Sequence, residues 1–452
     1  MPALADRKYL RLLTLCLLYL AQGMPWGFVT YTLAAYFAGQ GMEAKDLGAA
    51  LAITSLPWSI KFLWGPLVDR FTAPAFGRRR PWIVMAQALM VITIFGILAV
   101  PDLVADLKIL VALLFVHNVF AALQDVAVDA LAVDLLDEEE RGTANGLMYG
   151  CKYLGGGIGG AGLSRIMETV SASGGSEAGL QAAIATQGLI LAAILLFPLL
   201  LRERSTDRLV PFGAPGRSDA APAAGPDLGE AVLPHVPQPE APRDMMETVR
   251  TLFRVFRLRS PFLGALFALG MSISAGALGV IATIFYVQHL GWADTEYAQF
   301  AGGPALVMGL VGAFAGGWLA DKLGRKTVII GSCFALAALW VAFVLCQPYW
   351  EVKMVVKGFL LAEPLFMSMM AGGFFALCMD LSLPAVAATQ FTAYMALSNL
   401  SASMGQYFGG VLKDSFSYPQ LFLAAAVVQV VVAGYVALID PLEARRVLGD
   451  GE

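Results

Sequence analysis

Twelve long apolar runs dominate the sequence, near 11–37, 47–68, 81–100, 108–135, 143–167, 181–201, 260–287, 297–319, 327–346, 353–380, 389–412 and 419–439. Crossing a hydrocarbon layer of roughly 30 Å takes about 20 helical residues, and each run meets that length. The runs are continuously apolar rather than alternating. That selects helices over a barrel, since a chain in lipid must satisfy its backbone within each segment or in a closed sheet. Composition agrees: 58% of residues are hydrophobic and 14% charged, against about 45–50% and about 25% in soluble domains. The expected fold is an all-α membrane protein with twelve transmembrane helices in two pseudosymmetric six-helix bundles.

Charge placement orients the spans. Arg7, Lys8, Arg70, Arg78, Arg79, Arg80, Arg141, Arg202, Arg204, Lys322, Arg325, Lys326, Arg445 and Arg446 fall on one side, leaving chiefly Lys45, Lys108, Arg165, Lys353 and Lys413 on the other. By the positive-inside rule the rich side is cytoplasmic, with both termini there. No cleavable signal is evident, and the first run reads as a retained helix. Residues 1–202 are expected to form the first bundle, 203–258 a cytoplasmic linker, 259–440 the second bundle and 441–452 a cytoplasmic tail. The linker's middle, Pro211 to Pro242, is rich in Pro, Ala and Gly and reads as flexible. Its end places Met245, Val249, Leu252, Phe253 and Phe256 on one helical face, with Arg250, Arg254 and Arg257 off it. That pattern suits a short helix on the inner leaflet, or an extension of span seven.

The loop after span two reads Gly65-Pro66-Leu67-Val68-Asp69-Arg70 and, after an insertion, Gly77-Arg78-Arg79-Arg80. The loop after span eight reads Gly317-Trp318-Leu319-Ala320-Asp321-Lys322-Leu323-Gly324-Arg325-Lys326. The same motif at the same place in two six-span halves indicates an internal duplication. Its chemistry suits a gate: Gly65 and Gly317 permit close helix approach, and Asp69 and Asp321 can accept charge-assisted bonds from Arg70, Arg78, Lys322 or Arg325. The pattern resembles the major facilitator superfamily, which implies two bundles rocking about a midplane site.

Ionisable residues inside the spans are costly, about 2.5–3.5 kcal/mol each on insertion scales, and mark function. Asp125 and Asp129 lie one turn apart on span four, with Asn118 further along the same stripe. By helical rise, Asp125, Lys152, Lys61 and Glu363 sit about 12–15 Å inside, and Asp129 about 9 Å. Acids and lysines at matching depth can neutralise one another, and a rearrangement between them can load or release a proton. Asp134 and His117 read as packing residues. Gly155, Gly157 and Gly160 fit a dinucleotide fingerprint, but inside an apolar helix they read as a smooth packing face. Five scattered cysteines and three histidines offer neither a disulfide framework nor a metal site.

Lys61-Phe62-Leu63-Trp64-Gly65-Pro66-Leu67-Val68-Asp69-Arg70 looks like the second-span signature of AmpG-type muropeptide permeases. Gln124-Asp125-Val126-Ala127-Val128-Asp129 with Glu140-Arg141-Gly142 is similar to a fourth-span signature shared with acetyl-coenzyme A transporters. Glu363 and Ala388-Thr389-Gln390-Phe391 resemble the permease pattern in the second half. The resemblance implies proton-driven import of anhydro-muropeptides across a bacterial inner membrane. Lys152 stands where those permeases carry arginine, and Ala268 and Met271 where a lysine and an aspartate align.

The expectation is therefore a proton-coupled secondary transporter rather than an enzyme. Asp125, Asp129, Lys152, Lys61 and Glu363 would couple protons; Gln22, Trp26, Gln124, Tyr149, Tyr153 and Gln390 would bind solute. Its partners would be a small-molecule solute, protons and membrane lipid, with no nucleic acid, cofactor or metal, and it would act as a monomer. The alternatives are an importer of a ferric siderophore or other small organic anion, and a non-transporting assembly factor on the same fold.

Overall fold

The computed structural model describes residues 3–71, 76–205, 207, 245–383 and 386–448. The flexible linker expected from Pro211 to Pro242 lies outside the described residues. Among them the structure is helical, with one isolated bridge pairing Ala3 and Arg202.

The spans start and stop close to the apolar runs. Span one is Lys8–Gly39, span two Ala44–Arg70, span three Arg80–Ile97 and span four Leu107–Leu135. Spans five and six form one continuous helical stretch that reverses at Gly175, whose φ of 85° is open to glycine without strain. The second half follows with Arg259–His289, Asp294–Leu323, Arg325–Leu345, Lys353–Leu381, Ala387–Lys413 and Tyr418–Ala437. These are the twelve helices of two six-helix bundles. A shorter helix, Met245–Phe256, precedes span seven and buries Val255 against Leu383 and Val386.

Two kinds of irregularity matter for the interior. Span one carries a wide π-type turn at Phe28–Leu33 and meets span five at another, Ile158–Gly162. Thr32 Oγ bonds the carbonyls of Gly159 and Gly160, both at 2.8 Å, so the loosened backbone stays satisfied. Span two breaks in mid-course: α-helix to Ser55, 3₁₀ turns at Leu56–Ser59 and Lys61–Leu63, then α-helix again from Trp64. Pro57 lies in the first of those turns and has no N–H to donate.

The bundles meet where span two runs along span eleven and span five approaches span eight. At the face away from the arginines that contact is tight. Gln288 Nε2 donates to the carbonyls of Ala38 and Met42 at 3.0 and 2.9 Å, and Gln299 reaches Glu168 at 2.9 Å. A Cβ on Gly160 would lie 2.7 Å from the Cα of Gly302. At the arginine-rich face no ion pair joins the bundles among the described residues. The molecule is closed at the face away from the arginines.

Candidate functional site

The charge cluster in the first bundle is held by four spans. Asp125 is 3% exposed and accepts from Lys61 Nζ at 3.0 Å, with Lys152 Nζ 3.7 Å away on its other oxygen. Lys61 comes from the second 3₁₀ turn of span two, so the break carries the lysine that lies nearer. One turn along span four, Asp129 accepts the hydroxyl of Tyr19 from span one. Tyr149 packs edge-on against Tyr19 with centroids 5.7 Å apart. Desolvation of so many charges is offset only by close mutual pairing, and each carboxylate here has a partner.

Lys152 joins this cluster to open space. Its ammonium lies 5.1 Å from the Trp58 ring centroid and 5.9 Å from that of Tyr19, within cation–π range. It also lines a cavity of ≈ 400 Å³ between the bundles, with Gln22, Trp26, Trp58, Tyr149 and Tyr153 of the first half. The second half supplies Phe375, Asn399, Ala402 and Gln406. Gln22 is 1% exposed, and neither atom of its amide has a protein partner; the Gln406 Oε1 is alike. Aromatic faces, neutral amides and one cation suit a polar organic solute carrying a negative charge.

Several of the residues singled out in the sequence lie away from this cavity. Gln124 turns from the cavity and donates to Gln87 Oε1 of span three at 2.8 Å. Gln390 is fully buried, accepting from Leu383 N at 3.0 Å and donating to Leu381 O at 3.0 Å, so it ties down the turn between spans ten and eleven. Glu363 lines a separate space of ≈ 20 Å³ with Tyr286, Trp340 and Phe343, room for about one water. Ala268 and Met271 are buried in packing and do not line the central cavity. The lining comes from spans one, two, five, ten and eleven instead. Asn399 and Gln406 were legible as polar residues seven apart in an apolar run, two turns along one face. Trp58 gave no such signal.

The two loop motifs also differ from expectation. Arg79, rather than Arg70 or Arg78, reaches Asp69 at 2.7 Å and Asp134 at 2.8 Å. Asp134 is thus a partner of the motif. In the second half Arg325 pairs with Asp380 at the end of span ten, while Asp321 is exposed. Arg80 bonds the carbonyls of Pro198 and Leu199, and Lys326 those of Ala437 and Ile439. By these roles Arg79 matches Arg325 and Arg80 matches Lys326, a one-residue slip in the repeat. Lys322 lies over the Trp318 ring at 4.0 Å. A Cβ on Gly65 or Gly317 would meet nothing within 4 Å, so neither glycine serves close packing here. Both clusters are latches within a bundle, not between bundles.

Outside the spans, Glu203 accepts the backbone N–H groups of Arg78 and Arg79 at 2.8 and 2.6 Å, and that of Arg80. Burial pushes its carboxyl above the usual carboxylate range, against the pull of those N–H bonds. Glu443 caps the start of span seven from Ser260 N at 2.6 Å, and its bonds to Ser260 hold it below that range.

Known proteins agree with this architecture. The pattern of the Major Facilitator Superfamily matches residues 12–406. The anhydromuropeptide permease of Escherichia coli K12 is 34% identical over 128 residues, 28% of this chain and about a quarter (26%) of that permease. A putative transporter, AmpG 4 of Rickettsia felis, is 24% identical over 350 residues, 75% of this chain and 74% of its own. The crystal structure of a D-xylose-proton symporter superposes with TM-score 0.71 at 14% identity, covering 96% of this chain and 98% of that one. Matched along most of its length by the superfamily's own pattern and folded as its solved relatives are, the chain belongs to the Major Facilitator Superfamily.

Proposed function

We propose that the protein is a proton-coupled importer of the bacterial inner membrane, carrying an anhydro-sugar peptide or a solute like it from periplasm to cytoplasm. The supporting observation is Asp125, pinned between Lys61 and Lys152 while Lys152 also faces the cavity. In the outward-open state a proton on Asp125 or Asp129 frees Lys152 to meet a solute carboxylate. Trp26, Trp58 and Tyr149 offer faces for the apolar side of a sugar, and Gln22 and Gln406 offer amides to its acetamido or peptide groups. The bundles then rock to a state whose cavity opens toward the arginine-rich, cytoplasmic face. Deprotonation draws Lys152 back to Asp125 and releases the solute. One proton carried with one carboxylate moves no net charge, so the pH gradient is what drives uptake, at about 1.4 kcal/mol per pH unit.

The test is uptake of labelled anhydro-muropeptide into proteoliposomes under an imposed pH gradient, with wild type and Asp125→Asn side by side. Accumulation by the wild type alone is the expected result. Undiminished accumulation by Asp125→Asn would refute the coupling role. A single cation facing an aromatic cavity also suits a ferric siderophore or another organic anion, and competition by those solutes in the same assay distinguishes them.

A further inference from the structure

The break in span two places two contacts a few residues apart. Lys61, in its second 3₁₀ turn, holds Asp125. Trp58, in its first, donates its indole N–H to Asn118 of span four at 2.9 Å and lies under the Lys152 ammonium. The backbone carbonyl of Trp58 accepts a bond at 3.1 Å from Asn399 Nδ2, which belongs to span eleven of the other bundle. An unbroken helix would spend that carbonyl on its own next turn. Here it is free to be read by a neighbour, which is how breaks survive at membrane depth. The other bundle-to-bundle bonds described above, those of Gln288 and Gln299, lie at the closed face. The Trp58–Asn399 bond lies at the depth of the charge cluster.

We propose that Asn399 and the Trp58 carbonyl form the strut through which the charge state of Asp125 biases the rocking of the bundles, with the 3₁₀ break of span two as the moving part. The groups facing Asp125 are Lys61 of span two, Lys152 and Tyr149 of span five, Tyr19 of span one and Asp129 of its own helix. When Asp125 takes a proton, Lys61 loses its counter-charge in a site where it is 9% exposed and must shift. A 3₁₀ stretch bends more readily than an α-helix, having poorer hydrogen bonds. The shift of Lys61 therefore moves Trp58, three residues back, and changes the bond to Asn399. Asn399 is a positioning residue in this scheme, which rests on the proton-coupled reading above.

Spin labels on Leu200→Cys and Leu438→Cys, at exposed ends of spans six and twelve, report the distance between bundles in nanodiscs, in a background lacking the native cysteines. In otherwise wild-type protein, pH should shift the population between a short and a long distance. Asn399→Leu, which keeps the bulk and loses the donor, should reduce that shift at least about fivefold, the lower edge of ordinary site–site coupling. Asn399→Gln, which keeps a donor, should recover it, and Trp58→Phe, which keeps the carbonyl, should retain it. A full pH response in Asn399→Leu overturns the strut alone. So does equal loss in Asn399→Leu and Asn399→Gln, because the bond would then not be what matters. No pH response in the wild-type background overturns the proton-coupled reading and the strut together.

Discussion

In the first bundle Arg79 is 4% exposed and bridges two carboxylates, Asp69 and Asp134. In the second, Arg325 holds one, Asp380, and its side chain is 32% exposed. Deeper in, the first bundle stacks two acids and two lysines beside the cavity, whereas the second offers Glu363 in a narrow aromatic space. The cavity lining repeats the asymmetry in part: the cation, tyrosines, tryptophans and one amide, Gln22, from one side, and Asn399, Gln406 and a phenylalanine from the other. The two halves thus share a frame and differ in what they place inside it: one holds the paired charges, and the other presents neutral amides and a phenylalanine to the same cavity.

The comparison breaks most easily at the charge cluster. Asp125→Asn leaves two buried lysines without their carboxylate, and we expect a loss of about 3–5 kcal/mol together with gradient-driven uptake. Glu363→Gln should leave uptake within a few-fold of wild type, as the same proteoliposome assay would show. The reverse order of effects would move the engine to the second bundle. Next in size is the closed face. Gly160→Val puts side-chain carbon against the Gly302 backbone, so that face should stay open, read as increased maleimide labelling of Thr295→Cys in a background lacking the native cysteines.

The latches come third. Arg79→Ala should cost about 2–3 kcal/mol by thermal unfolding, for two bonds of a buried guanidinium, one to a carboxylate that is itself exposed. Arg325→Ala, at a half-exposed pair, should cost about 1 kcal/mol or less. The smallest expected effect is in the pH dependence of the caps. The Glu203 carboxyl is raised in the folded state, so its contribution is greatest at low pH and fades as pH climbs through that raised value. The Glu443 carboxyl is lowered, so its contribution holds above the usual carboxylate value and fades as pH falls through the lowered one. Melting temperatures of Glu203→Gln and Glu443→Gln against pH should therefore diverge from wild type in opposite directions.

The spans and the duplicated motif were legible because each follows from one chain segment and the cost of polar groups in lipid. Arg259–His289 and Lys353–Leu381 begin and end close to their apolar runs. Pairing across segments was not legible. Sequence gives the depth of Gln124 but not its azimuth, and a helix turned toward span three hides it against Gln87. Asp134 reads as packing until the one-residue slip of the repeat brings Arg79 over it. The break in span two needs Pro57 and neighbours that hold it: Asn118, some 60 residues away, takes the Trp58 indole N–H, and Asn399, 341 away, satisfies the Trp58 carbonyl.

The closed face meets at Gly160 and Gly302 through bare main chain. Bringing two such surfaces together freezes no rotamers at that seam, so the side-chain entropy cost of closure, and the specific bonds that reopening must break, fall on Gln288 and Gln299 beside it. A carrier built this way has a bare seam flanked by a few amide bonds, and those bonds set how firmly this face stays shut.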